Sequence, residues 1–167
     1  MLFLRTFFYR PAAVLAVASL AACSSSKKDD PTPPPHEMRW TVDGAAVQTA
    51  SLQSRKDGAN LFAIGTLDAS STSSSTVTLY FPAAVGTYVL GPNSLASYAS
   101  YDVSILGSRT GYITGYNPSA PALVGSGTIV VTAISATEAT GTFTFTGITM
   151  AATASKAVTN GSFRVGL

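Results

Sequence analysis

The sequence predicts an all-β domain, an antiparallel two-sheet β-sandwich, placed after an N-terminal signal segment. Three observations between residues 38 and 167 carry the β assignment. Apolar and polar or β-branched residues alternate in short segments, each segment is closed off by Gly, Asn, Asp or Pro, and no stretch sustains an apolar stripe at i, i+3, i+4, i+7 over three turns. A small β-barrel is the alternative closure of the same strands.

The chain opens with an address. Arg5 and Arg10 precede an apolar run from Pro11 to Ala22, the charge pattern and length of a signal peptide. A membrane-spanning helix needs about 20 apolar residues. Extending the run back through Phe7 and Phe8 would bury Arg10, at a cost of roughly 2.5 to 3.5 kcal/mol near mid-span. The segment closes on Leu20-Ala21-Ala22-Cys23, which resembles a bacterial lipobox, and Cys23 is the only cysteine in the chain. That resemblance implies cleavage after residue 22 and a covalent lipid on Cys23, with no other cofactor expected. Since each buried CH₂ contributes about 0.8 kcal/mol, two or three acyl chains anchor a protein firmly without a transmembrane helix.

Residues 23–37 read as a tether. Ser24 to Asp30 is Ser-rich and then Lys-Asp-Asp, similar to the tether of Bacteroidetes-type surface lipoproteins, which implies an outer-membrane location with the cell surface preferred to the periplasmic face. Pro31 to Pro35 has the composition of an extended polyproline strut.

Residues 38–167 form the domain. Thr140 to Thr146 is the clearest strand, with Phe143 and Phe145 on one face and Thr142, Thr144 and Thr146 on the other. Val77 to Phe81 repeats the pattern with Val77, Leu79 and Phe81 inward, and Leu61 to Leu67 and Thr128 to Ala133 are apolar enough to be central. Further strands are expected at 38–42, 46–53, 87–90, 101–106, 111–115 and 161–165. Turns are expected at Asp43-Gly44, Asp57-Gly58, Asn160-Gly161 and Ser135 to Thr137. Ala69 to Thr76, almost entirely Ser and Thr, reads as a flexible loop.

The order Trp40-Thr-Val-Asp-Gly44, Gly86-Thr-Tyr-Val-Leu90, Gly141-Thr-Phe-Thr-Phe145 and Val158-Thr-Asn-Gly-Ser-Phe163 resembles a β-rich domain family of unknown function found in lipoproteins of the same bacterial group. The resemblance implies architecture and location and carries over no catalytic residue.

Counting excludes several chemistries. With one Cys and one His, His36, the chain alone builds no zinc finger, disulfide framework or Cys/His nucleophile pair. Removing Arg5 and Arg10 from the 10 basic residues leaves them balanced against 8 acidic ones, so the basic footprint of a nucleic-acid partner is absent. The body carboxylates are Asp43, Asp57, Asp68, Asp102 and Glu138, and a glycosidase needs two of them opposed at about 5 to 9.5 Å. Asp43 and Asp57 sit in turns, and no metal site is expected. The expectation is a non-enzymatic domain with a binding or structural role in the envelope, a glycan or an envelope protein being the candidate partner. A glycan-binding accessory module and a small carboxylate-dependent hydrolase are the alternatives. The candidate ligand-binding residues are Tyr98, Tyr101, Asp102, Arg109, Tyr112, Tyr116 and Asn117, because aromatic rings pack on sugar faces while charged and amide groups take hydroxyls. The competing reading of the tyrosines is strand core and girdle.

Overall fold

The computed structural model describes residues 34–115 and 124–167. Among them every regular element is a strand: β1 (Glu37–Val42), β2 (Ala45–Gln48), β3 (Ser51–Asp57), β4 (Asn60–Ser70), β5 (Ser73–Pro82), β6 (Gly86–Leu90), β7 (Tyr98–Ile105), β8 (Ser108–Ile113), β9 (Ser126–Ile134), β10 (Glu138–Ile148) and β11 (Ser155–Gly166). Hydrogen bonding runs β2-β1-β11-β10-β8-β7-β5-β4-β3, with β9 also on β10 and β6 on β9. The strands are antiparallel throughout. The β10–β8 link is the single pair Ile148 with Ile113, while β9 takes the same flank of β10 from Ala139 to Thr146. The sheet therefore falls into two layers, β2-β1-β11-β10-β9-β6 and β8-β7-β5-β4-β3, as expected of a sandwich.

The layers cross steeply. At one edge of the second layer, Ser54 of β3 donates to the carbonyl of Gly166 in β11; at the other edge, β8 meets Ile148. Gly166 pairs with Glu138, at the opposite end of β10 from Ile148. The strand-to-strand direction of one layer thus follows the strand direction of the other, and such packing turns its corners with strands that switch layers. One corner lies at Thr49-Ala50. Thr49 N–H donates to Met38 in the first layer, and Ala50 N–H donates to Thr66 in the second. The strand expected at 46–53 is consequently two strands, broken where the chain changes layer.

Inward positions of both layers make one core. Trp40, Met38, Leu61, Val77, Leu79, Phe81, Ile129, Phe143, Phe145, Val158 and Phe163 are buried, and the Phe81 and Phe163 rings meet across the layers at 5.4 Å. Phe143 and Phe145 point inward while Thr142, Thr144 and Thr146 are exposed, the alternation that the sequence predicts.

Two further expectations are corrected. The Ser/Thr tract is a hairpin: β4 runs to Ser70, β5 starts at Ser73, and the pairing includes Thr66 with Thr76, Leu67 with Ser75 and Asp68 with Ser74. Ladder hydrogen bonds need no apolar side chain on an exposed face, and β-branched Thr suits a strand. Asn160-Gly161 is not a turn. It lies inside β11, where the register against both β1 and β10 slips by one residue and Asn160 has φ of 51°. A residue in the left-handed region that is left unpaired between two ladders is a β-bulge, and Asn tolerates that region. The turn residues with positive φ at Asp43-Gly44 and Leu106-Gly107 close the β1–β2 and β7–β8 hairpins with the backbone twist that two-residue turns require.

Candidate functional site

The outer face of the β8-β7-β5-β4-β3 layer gathers the densest chemistry among the described residues. Register places its side chains in rows. One row reads Arg55, Phe62, Tyr80, Tyr98 across β3, β4, β5 and β7. Tyr80 and Tyr98 are stacked at 5.2 Å between ring centroids, and Phe62 meets both edge-on at 5.9 and 6.3 Å. Phe62 and Tyr98 are two strands apart, a backbone separation of about 9.6 Å. The shorter ring distance therefore means that the Phe62 and Tyr98 rings converge over Tyr80. The Arg55 guanidinium caps the far end, 5.0 Å from the Phe62 ring centroid. Burial pushes the Tyr98 phenol above its ordinary range, the Tyr80 phenol adds to the rise, and Arg55 opposes it.

Two rows along the same face lies Asp102. Arg109 donates to its Oδ1 through Nε at 3.1 Å and Nη2 at 3.0 Å, and Ser100 Oγ donates to Oδ2 at 3.1 Å. Gly111 is the β8 residue opposite Asp102, and a Cβ there would stand 2.8 Å from Oδ1. Glycine is what lets the carboxylate lie across β8 toward Arg109. The Asp102 side chain is 13% exposed against 71% for Arg109, whose pKa rises through its hydrogen bond and charge contact with Asp102.

The connection from β6 to β7 walls the space beside them. Ser94 Oγ donates to the Ser97 carbonyl at 2.8 Å, and Ser97 Oγ donates to Val89 at 3.3 Å. Buried Thr114 closes the base, its hydroxyl accepting from Ala99 N–H at 2.8 Å and donating to Ala99 O at 3.1 Å. The open cavity so outlined, about 520 Å³, is lined by Ser94, Leu95, Ser97, Tyr98, Ser100, Asp102, Arg109, Ile113, Thr114 and Gly115.

Of the residues singled out in the sequence, Tyr98, Asp102 and Arg109 come together here. Tyr101 and Tyr112 do not, which corrects their assignment to one ligand face. Tyr101 is 6% exposed and stacks on Tyr112 at 6.2 Å, on the inner side of the layer. Period-two alternation separates them: Tyr98 and Tyr101 are three residues apart on one strand and so face opposite ways, while register sets Tyr101 opposite Tyr112. Burial raises the Tyr101 phenol, against the opposing Ser75 hydroxyl. Tyr116 and Asn117 lie outside the described residues, as does Cys23. Arg55, Phe62 and Tyr80 were not singled out. The hairpin turn after Asp57 carries that signal, since a two-residue loop at Gly58-Ala59 puts Arg55 opposite Phe62 by counting back.

The other carboxylates are spread out. Asp43 pairs with Lys156, Glu138 with Arg164 at 2.7 Å, and Glu37 with Arg39 at 2.8 Å. Asp57 pairs with Asn60 at the start of β4 and Asp68 lies eight residues further along that strand, roughly 26 Å away. No described cavity is lined by both Asp68 and Asp102.

No curated protein matches the chain, and no solved structure does. The family model described as "Domain of unknown function (DUF6252)" matches residues 48–165, from the end of β2 to the last residues of β11. With most of its length and nearly all its strands inside that match, the chain belongs to the DUF6252 family.

Proposed function

We propose that this protein is an outer-membrane lipoprotein, anchored through a lipid on Cys23 after loss of residues 1–22, whose β-sandwich has a non-enzymatic binding or structural role at the cell surface. The observation that carries this reading is the position of Cys23, the only cysteine, at the end of an apolar run with basic residues before it. The fold supports it in one respect. β1 begins at Glu37, leaving 14 residue steps from Cys23, a reach of at most about 50 Å. The non-enzymatic part rests on the resemblance to a domain family of unknown function, which carries over no catalytic residue.

Growth with an alkyne-bearing fatty acid, followed by click detection on the purified chain, tests the anchor. The wild type incorporates the label and starts at residue 23, whereas Cys23→Ala incorporates none and accumulates with its leader attached. A wild-type chain retaining Met1 and no lipid refutes the anchor. Protease shaving of intact cells separates the surface from the periplasmic face.

A further inference from the structure

We propose that the cavity beside Tyr98 binds a neutral oligosaccharide, one pyranose ring stacked on the Tyr98 ring beside the serines and the hydroxyls of a neighbouring sugar held by Asp102 and Arg109. This deepens the binding half of the reading above and is independent of the lipid anchor.

Tyr98 is the end member of the aromatic cluster. One face of its ring is covered by Tyr80, and on the side away from Tyr80 its neighbour Gly115, just past the end of β8, contributes no side chain. The space so left is the cavity, and Tyr98 is its only aromatic lining residue among those described. An apolar floor of the Tyr98 ring with Leu95 and Ile113 beside it, edged by serines, Asp102 and Arg109, suits a ligand with one face of C–H groups and a rim of hydroxyls, which is the surface of a pyranose. A sugar hydroxyl both donates and accepts, and the rim offers both kinds of partner: the Asp102 carboxylate accepts, the Arg109 guanidinium donates, and the hydroxyls of Ser94, Ser97 and Ser100 do either.

Charge selects the neutral sugar. Arg109 is already matched by Asp102 on one oxygen, and Arg55 is engaged on Phe62 two strands beyond Tyr98, so among the described residues no unmatched cation lines the cavity to take an acidic sugar or a phosphate. The polar groups are also fixed in advance. Asp102 is held by Arg109 and Ser100, Ser97 by Ser94 and Val89, and Tyr98 by two rings, so little ordering remains to oppose binding. Asp102 lies four residues, about 13 Å, along β7 from Tyr98, farther than one ring reaches, hence an oligosaccharide.

The test uses the full chain, purified in a zwitterionic detergent because glucoside and maltoside detergents would compete. A printed panel of neutral glucans, mannans, galactans, xylans and N-acetylated oligosaccharides, with uronic-acid and sulfated glycans beside them, identifies the strongest binder for calorimetry. Wild type is expected to bind a neutral member. Tyr98→Ala is expected to weaken that binding about tenfold or more, Tyr98→Phe to keep it within about threefold, and Arg109→Ala to weaken it by several-fold, each variant retaining the wild-type circular dichroism. Three results overturn the proposal: no neutral oligosaccharide bound at millimolar concentration, binding confined to acidic glycans, or neutral binding unchanged in Tyr98→Ala. Since Cys23 is untouched in all variants, loss of glycan binding with lipid incorporation intact separates this failure from failure of the anchor.

Discussion

Gly141 faces Phe163 across β10 and β11, and two residues on Phe143 faces Gly161. Each ring lies over the opposite glycine, where an added Cβ would stand 2.5 Å from the nearest ring carbon. Gly141→Ala is therefore expected to lower stability well beyond an ordinary strand substitution, by about 2 kcal/mol or more, because a packed core does not give way. Urea denaturation measures it. In the same strand Phe143→Ala is expected to cost about 3 to 5 kcal/mol. Thr144→Ala should cost about 1, through its hydroxyl bond to Val158. Equal losses at 143 and 144 would reverse the assignment of faces. Parity made the Phe and Thr faces legible in the sequence, and parity also separates Tyr98 from Tyr101. The tyrosines misled because they were read as a count within a window rather than as positions on alternating faces. Asn160 shows the opposite limit: Asn-Gly signals φ above zero, which a hairpin turn and a bulge both use. Only the partners on either side tell them apart. Asn160→Gly is expected to leave stability within about 0.5 kcal/mol, and Asn160→Val to cost about 1 to 2.

The hairpin of β4 and β5 carries the aromatic row at its Asn60 end and a Ser/Thr ladder at its tip. Composition alone cannot distinguish that ladder from a loop, because an exposed strand with hydroxyls on its outer face lacks the apolar alternation that marks a buried one. Thr66 and Thr76 hydroxyls lie 3.2 Å apart across the pair, and β7 pairs with β5 from Ser73 to Tyr80. Ladder amides between Ser74 and Thr78 are accordingly expected to show slow hydrogen exchange, while Ser71 and Thr72 exchange freely. Fast exchange throughout 70–76 would restore the loop. The edges of the sheet differ in a way that the sequence does state. β3 ends in Arg55, Lys56 and Asp57, charges that discourage pairing with another chain, and β2 is four residues long. β6, Gly86 to Leu90, has no charge and leaves Val89 70% exposed.

Across the whole domain, two tyrosines of the second layer couple stability to alkaline pH. Burial is the first cause of the rise at both Tyr98 and Tyr101, above the ordinary value of 10.0. The folded chain then holds these protons more tightly than the unfolded chain, so their contribution is complete below pH 10 and lost as pH climbs through the folded values. The urea midpoint is expected to stay level from about pH 8 to 9.5 and to fall above about 10, with part of that fall removed in Tyr101→Phe. Absorbance at 295 nm should show phenol ionisation continuing above the ordinary value of 10.0, reduced in Tyr101→Phe; ionisation complete near 10 with an unchanged midpoint would refute their burial. Fold class and most strands were readable because period-two alternation is local, whereas the layer switch at Thr49-Ala50 and the meeting of Ile113 with Ile148 depend on residues far apart in the chain. The pairing of β1 with β11 is of this second kind, since it joins Glu37 to Arg164 and Val42 to Val158. Apart from four-residue β2, the first strand has no neighbour until the last 12-residue strand has been made and placed. The flank of β1 that β11 takes thus stays unpaired until β11 has formed, although Met38 already lies against Gly65 of β4. A chain cut short before β11 therefore loses more than an edge: it lacks Val158, Phe163 and Val165, and its interior stays unfinished.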